Sequence, residues 1–505
     1  MATQFRDTAF GQLVRLASSD RIFQYPDEIN PFVWKRALPC REGSSNENTN
    51  GSSSEKANGP TGEASDGTIR FSSGPAQIVE GGKDIYLVDW YGPDDLENPM
   101  NWPRGWKALI TFLMCVLNFV VYIASSLYVP GETSLEQDFG VSEIVATLGL
   151  SLFSIGYGFG PMLWSPMSEI PQLGRSGIYV WTLCVFTLLQ LPTGFSVNIA
   201  MFLVFRLVSG FIGSPILATG GATITDVYGP ARAAFGICIW ASAGVCGPVF
   251  GPLIGGFVAP VKGWTWTIWI YTWMCAFCII LLFFLLPETS AANILHRRAA
   301  RLRKATGDER LKSQSEIDTA HHTTKDRLLV LARAFTLTFT EPIVFVVDLY
   351  TALLYGVLFT WFESFPLVFG GIYGFEAKVQ GLVYLGLFVA MLIVVPLYLL
   401  WVKLVLVPSS AKPSFRPEHV LPPTWSGALS LPICLFWYGW SARASIHWIV
   451  PIIGSSLFII PLVTFFNGVL NYLGISYPHY AASVFVGNCL FRALFGGVFP
   501  LFHDA

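Results

Sequence analysis

The sequence predicts an all-α, polytopic membrane protein built from two helical half-bundles, and three observations carry that expectation. Hydrophobic residues make up 53% of the 505, and the 13% that are charged are about half the share found in a soluble globular chain. From Lys107 onward, apolar runs of roughly 17 to 25 residues recur, each long enough to cross the hydrocarbon core of a bilayer. One long polar interruption, residues 287–341, divides the runs into two groups and holds ten Lys and Arg residues, Arg297 to Arg333, which marks it as a cytosolic loop.

In chain order, residues 1–106 form a polar amino-terminal tail. Its stretch 43–67 is rich in Ser, Asn, Gly and Glu, so the tail is expected to be largely disordered. Residues 5–23 have mixed apolar spacing suited to lying on a membrane surface. No charged segment followed by an apolar core opens the chain, so the first span is expected to act as the insertion signal and the tail to stay cytosolic. The sequon Asn50-Gly51-Ser52 would then never meet the glycosylating enzyme. Spans are placed at 107–129, 144–165, 177–195, 199–222, 233–258, 265–286, 342–369, 379–402, 425–442, 447–471 and 480–502. The first six make one bundle, 107–286; the cytosolic basic loop, 287–341, leads to a second bundle of five, 342–505. Glu132, Glu136, Asp138 and Glu143 in the first external loop, with no Lys or Arg, agree with a cytosolic start.

The fifth run carries an unusual pattern: Gly244, Gly247, Pro248, Gly251, Pro252, Gly255 and Gly256 fall within thirteen residues. Such a segment would fail as a helix in water but is tolerable in lipid, where neighbouring helices re-satisfy freed backbone groups. At about 100° per residue, Gly244, Gly247, Gly251 and Gly255 share one narrow stripe, a smooth face that lets another helix approach closely. It is expected to lie against the fourth span and at the seam toward the second half. Eight of the nine cysteines lie in apolar runs; Cys275 and Cys278 form a CxxC with no second pair or His nearby, so packing is expected there and no metal site. There is no GxxxxGK[ST] sequence, so ATP hydrolysis is unsupported as an energy source, and no catalytic constellation points to an enzyme.

Several motifs together resemble the major facilitator superfamily, and within it the fungal drug:proton antiporters with twelve spans, the branch containing benomyl- and azole-resistance exporters of yeasts. They are Asn98-Pro-Met-Asn-Trp102, Tyr157-Gly-Phe-Gly-Pro161, Ser165-Pro-Met-Ser-Glu169 leading to Gly174-Arg175, Arg206-Leu-Val-Ser-Gly210, Ala218-Thr-Gly-Gly-Ala222 with Asp226, the glycine-proline run, Leu286-Pro-Glu-Thr289, Phe362-Glu-Ser-Phe-Pro366 and Phe491-Arg492. Three departures stand out. Thr265 replaces the usual Arg of a Trp-Arg-Trp motif, Asp348 is an extra acid, and eleven spans are expected where the family has twelve, which would leave the carboxyl terminus outside.

The resemblance implies functional positions. Gly160, Glu169, Gly174 and Arg175 match the superfamily's cytosolic loop motif; Glu169 is expected to face the start of the eleventh span near Tyr480, and Arg175 to pair with Asp226 as a cytosolic gate, an interfacial charge that orients the loop being the plain alternative. Arg206 lies about 10 Å inside the fourth span, where charge costs several kcal/mol without a partner or wet cavity; in the resemblance it couples proton movement to transport and sits against the fifth helix. Glu363, toward the outer end of the seventh span, is the favoured proton acceptor over Asp348, and Arg492 in the eleventh span is a counter-ion for an acid or for substrate, or else part of a fixed ion pair. Spans one, four, seven and ten line the cavity in the superfamily, which offers Asn118, Tyr122, Ser125, Tyr350, Tyr355, Trp361, Asn467 and Asn471, an aromatic and amide lining suited to bulky amphipathic molecules. His447 and His479 are expected at interfaces. The expected activity is proton-coupled efflux of drugs, fungicides or a secondary metabolite from a plasma-membrane monomer, with the proton gradient and no cofactor or nucleic acid involved. A proton-coupled importer of a nutrient or polyamine, and a transporter-like receptor signalling through its tail, are the other readings.

Overall fold

The computed structural model describes residues 5–29, 77–80, 83–321, 336, 338–410, 412–477 and 481–502. The segment 43–67, the sequon, Lys325, Arg327, Arg333, His479 and Tyr480 lie outside them. Helices occupy all eleven runs placed from the sequence: the first span Arg104–Ser126, the second Glu143–Glu169, the third Arg175–Gly194, the fourth in two pieces, Ile199–Gly213 and Pro215–Tyr228, the fifth Pro230–Lys262 and the sixth Trp264–Leu285. The second group comprises the seventh span Pro342–Phe365, the eighth (Ala377–Val383 and Leu385–Trp401), a ninth helix Pro422–Ser441, the tenth span (Ile449–Ser456 and Ile459–Ser476) and the eleventh Ala481–Val498. Among the described residues, ten helical stretches are long and apolar enough to cross a membrane, the ninth helix not being one of them. Apolar side chains such as Trp181, Trp273, Leu392 and Phe436 point outward, as helices apolar on every face do when lipid is the solvent.

Pro215 interrupts the fourth span. It lacks the N–H that would reach the carbonyl of Phe211, and that carbonyl accepts instead from the Ser214 hydroxyl at 2.8 Å and from the Trp164 indole N–H of the second span at 2.9 Å. The freed backbone group is thereby satisfied inside the membrane, where leaving it bare would cost several kcal/mol.

The described parts of the amino-terminal segment depart from the expected disordered tail. Residues 5–29, 77–80 and 83–106 fold against the central loop as one unit, and the all-α expectation is amended by a small sheet in which β1 (Gln77–Glu80) pairs antiparallel with β2 (Lys83–Val88) and β2 pairs parallel with β3 (Leu311–Ser313). Helix Ala9–Ala17 docks on the third and sixth spans, with Phe10 against Phe283 and Phe284, while Leu13, Leu16 and Ile22 of the same segment stay exposed. The Tyr25 ring is flanked by the guanidinium groups of Arg301 at 3.4 Å, Arg6 at 3.6 Å and Arg15 at 4.6 Å. Arg298, fully buried on the loop helix Ala291–Thr306, pairs with Asp95 at 2.7 Å and Glu97 at 3.1 Å. Burial pushes the Asp95 carboxyl up, but the Arg298 hydrogen bond and charge, with the backbone N–H groups of Glu97 and Tyr91, hold it below the usual value. Three of the cations in this loop, Arg298, Arg301 and Lys304, are thus matched by acids of the amino-terminal segment, a pairing that needs tertiary structure to be seen.

The two halves meet along two seams. The fifth and eighth spans touch where Gly256 faces the Ala377 carbonyl and Gly381 faces Leu253, and the second and eleventh touch where Gly158 faces Ala493 and Gly497 faces the Ser151 carbonyl. At each position a Cβ would fall inside 3.0 Å of its neighbour or close to it.

Candidate transport site

The glycine stripe packs on the first span, not the fourth. A Cβ at Gly244 would strike Asn118 and Tyr122; at Gly247, Tyr122 and the Ile123 backbone; at Gly251, the Ser126 hydroxyl and the Leu127 N–H; at Gly255, the Leu127 carbonyl. The fourth span is already taken: Gly210 lies against the Phe153 carbonyl and Gly156 against that of Leu207, so spans two and four share their own close contact. Pro248 and Pro252 stay inside the continuous fifth helix. Gly256, one residue off the stripe, reaches the eighth span, so the helix stands at the seam with its off-stripe side, and the smooth face is turned to the first span.

Arg206 is 1% exposed and bridges spans one and two. Its Nε donates to the Gly149 carbonyl at 3.0 Å, and Nη1 and Nη2 both donate to the Ala124 carbonyl at 3.1 Å. The rings of Phe153 and Tyr128 lie 4.6 and 5.3 Å from the guanidinium carbon. The expected contact with the fifth helix is absent because the first span stands between. Hydrogen bonds from a charged donor contribute about 1.5–3 kcal/mol each, enough to offset most of the cost of holding this cation at depth.

Glu363 is buried near the outer end of the seventh span. It lies within electrostatic reach of Glu132, which the sequence placed in an acidic external loop but which is only 6% exposed, with the Thr147 hydroxyl 3.5 Å away. Glu132 lies within electrostatic reach of Arg206 as well. Nothing in its composition separates it from Glu136; only the tight Val129-Pro-Gly131 turn before it hints that it is tucked inward.

Midway along the second half, Arg492 is 4% exposed. Its guanidinium lies 4.7 Å from the ring centres of Tyr355 and Phe466, and Nη1 is 3.5 Å from the Tyr122 hydroxyl. Asp348, fully buried, accepts from the Asn488 amide at 2.8 Å. Of the expected cavity residues, Tyr122 and Tyr355 meet here. The others are engaged elsewhere: the Asn118 amide donates to the Trp240 carbonyl at 2.9 Å, Asn467 and Asn471 donate to carbonyls of their own helix, the Tyr350 ring lies 4.2 Å from Phe465, and Trp361 packs on Phe458. Ser125 is buried and donates to the Tyr122 carbonyl.

At the helix ends on the side of the central loop, Arg175 Nη1 and Asp226 Oδ2 are 2.9 Å apart, joining the start of the third span to the end of the fourth, both in the first half. Glu169 is exposed at the end of its helix, and its expected partner region lies beside the undescribed Tyr480. The carboxylate that does cap a helix is Glu288 of Leu286-Pro-Glu-Thr289: it accepts from the backbone N–H groups of Arg175 and Ser176 and from the Ser176 hydroxyl, at 3.1, 3.3 and 2.8 Å, where the helix dipole favours negative charge. Gly174, at φ +69°, would place a Cβ on the Glu288 carboxylate, which requires glycine there on both counts. Gly160 packs on the break in the fourth span, its Cβ position falling on the Ser214 hydroxyl and the Phe211 carbonyl.

Comparison with known proteins agrees with this architecture. Residues 114–500 match the profile of the Major Facilitator Superfamily. The Cycloheximide resistance protein of Candida maltosa is 36% identical over 517 residues, covering 100% of this chain and 91% of that one. Fluconazole resistance protein 1 of Saccharomyces cerevisiae is 39% identical, covering 84% and 77%. Among solved structures, the partially occluded inward-open xylose transporter XylE from E. coli superposes with a TM-score of 0.54 at 13% identity over 79% of this chain and 93% of that one, a likeness of fold. By profile, by relatives across most of its length and by fold, the chain belongs to the Major Facilitator Superfamily and is akin to its fungal drug-resistance transporters.

Proposed function

We propose that this chain exports bulky amphipathic compounds, drugs, fungicides or a toxic secondary metabolite, from a fungal cell across its plasma membrane in exchange for protons. The observation that carries the proposal is the fifth helix, sealed backbone-to-backbone on the first span and touching the eighth at the seam. Such a contact restricts leak while the halves rock about a site near the membrane midplane. Relatives named for resistance to cycloheximide and fluconazole support outward transport over uptake of a nutrient. The drive available is about 1.4 kcal/mol per pH unit and about 2.3 kcal/mol per 100 mV for each net charge moved.

The test is accumulation of fluconazole and cycloheximide in cells lacking their own exporters. Cells with the chain should hold less of at least one compound, a protonophore should erase the difference, and Glu363→Gln, at equal surface level, should reduce efflux about tenfold or more, the effect of removing a positioned proton carrier. Higher accumulation would indicate import, and full protonophore-sensitive efflux by Glu363→Gln would remove that residue from the coupling.

In the same reading the Arg175–Asp226 pair sets the cytosolic gate. Arg175→Glu places like charges at this contact and should slow efflux about tenfold, a loss equivalent to ~1.4 kcal/mol. The exchange Arg175→Glu with Asp226→Arg should restore a substantial part of the initial rate. A double variant no better than the single one would assign Arg175 to loop orientation alone.

A further inference from the structure

Arg492 has no partner that accounts for its burial. It stands eleven residues into the eleventh span, about 17 Å along the helix axis, where a cation is expensive unless it meets a counter-charge or a wet cavity. Its hydrogen bonding amounts to one long contact, 3.5 Å to the Tyr122 hydroxyl; Nε has no hydrogen-bond partner, and the adjoining Cys489 thiol is a weak acceptor. Among the described residues no carboxylate lies within ion-pair distance of it. Asp348 lies within electrostatic reach of Arg492 but makes its hydrogen bonds to Asn488 and Thr338, at 2.8 and 3.5 Å. Besides the Cys489 thiol, the guanidinium meets the ring faces of Tyr355 and Phe466 from the second half and, from the first, the hydroxyl of Tyr122, whose ring lies 6.2 Å from that of Tyr157. Stacking on rings softens the cost of a buried guanidinium without neutralising it, whereas a planar carboxylate would take two of its donors in parallel.

We infer that Arg492 is the anchor for an anionic oxygen group, a carboxylate, on the exported compound, whose apolar body lies among Tyr122, Tyr157, Tyr355 and Phe466. This rests on the efflux reading and narrows it: the preferred cargo is an amphipathic monocarboxylate, neutral acceptors bind more weakly, and permanent cations are rejected. Arg206, the other deep cation, is not equivalent, because its donors are already given to the Gly149 and Ala124 carbonyls. The site also straddles the seam, so a bound carboxylate on Arg492 of one half would draw the tyrosines of the other half around its body. An anion leaving an inside-negative cell moves down the membrane potential, so the potential assists export of such a cargo.

The test uses the full chain in nanodiscs and three probes with one aromatic body: 2-naphthoate, 2-naphthamide and (2-naphthylmethyl)trimethylammonium, titrated by calorimetry. Wild type should bind the carboxylate about tenfold or more tighter than the amide, as charge-assisted pairing predicts, and the ammonium not measurably. Arg492→Gln should bring the carboxylate down to the amide's affinity while amide binding persists, which shows the variant is folded; Arg492→Lys should recover part of the preference. A wild-type chain that binds the carboxylate no tighter than the amide, or a preference that survives in Arg492→Gln, overturns the inference. Proton-driven efflux of cycloheximide or fluconazole is scored separately, so its failure would strike the transport reading and leave the probe series to decide the anchor.

Discussion

Gly251→Val is expected to abolish efflux and to lower the melting temperature of the purified chain sharply. The Cβ of any other residue at this position meets the Ser126 hydroxyl, and behind it the Leu127 nitrogen at 2.7 Å and the Ser126 carbonyl carbon at 2.8 Å. Overpacking against side chains that can yield costs about 1–3 kcal/mol, but two of these three atoms are backbone of the first span. Relief requires the two helices to move apart, which undoes the neighbouring contacts at Gly247 and Gly255 and opens the sealed face to leak. Gly177→Ala in the third span is the control, since its Cβ would meet nothing within 4 Å and alanine favours a helix by roughly 1 kcal/mol over glycine. Melting in detergent and efflux at matched surface level check both; normal transport by Gly251→Val would show that the close contact is dispensable.

The second large effect is expected at Arg206, and the informative variant keeps the charge. Arg206→Lys retains a cation at the same depth but replaces a planar fork by one ammonium, which cannot reach the Gly149 and Ala124 carbonyls on two different helices with the same set of bonds. Efflux should fall about 10- to 100-fold, matching the loss of one or two hydrogen bonds of ~1.5 kcal/mol each, and Arg206→Ala should fall further because both carbonyls then lose their donor. Initial efflux rates against a fixed pH gradient would decide it. Wild-type rates for the lysine variant would mean that charge alone matters at this position and that the bridge between spans one and two is incidental.

Much of this molecule is readable in its sequence because lipid imposes hard requirements. Span positions follow from the length an apolar run must have, and the Arg175–Asp226 contact follows from two motif charges that both fall at helix ends on one side of the bundle. The neighbour of the glycine stripe did not follow. A stripe specifies a smooth face but not which helix fills it, and Gly156 and Gly210 had already matched span two with span four. Glu288 was hidden for a similar reason: a carboxylate after a proline carries no mark of which helix start it will cap, whereas Glu169, in the recognised loop motif, drew the assignment. The cytosolic unit was least legible of all. Its β2–β3 pairing joins residues more than two hundred positions apart, and the acids that neutralise Arg298 and Arg301 lie in a polar stretch whose composition reads as unstructured.

The interruption at Ser214 and Pro215 gives the fourth span two mechanical parts. The outer rod carries Arg206 and is clamped to spans one and two; the inner rod carries Asp226 and leans on the eleventh span. Between them the ladder lacks one rung, and the Phe211 carbonyl is held by a serine hydroxyl and an indole that tolerate a change of angle better than a backbone bond does. A helix jointed in this way separates the Arg175–Asp226 contact from the deep cation Arg206 by one missing backbone hydrogen bond, though the two share one span.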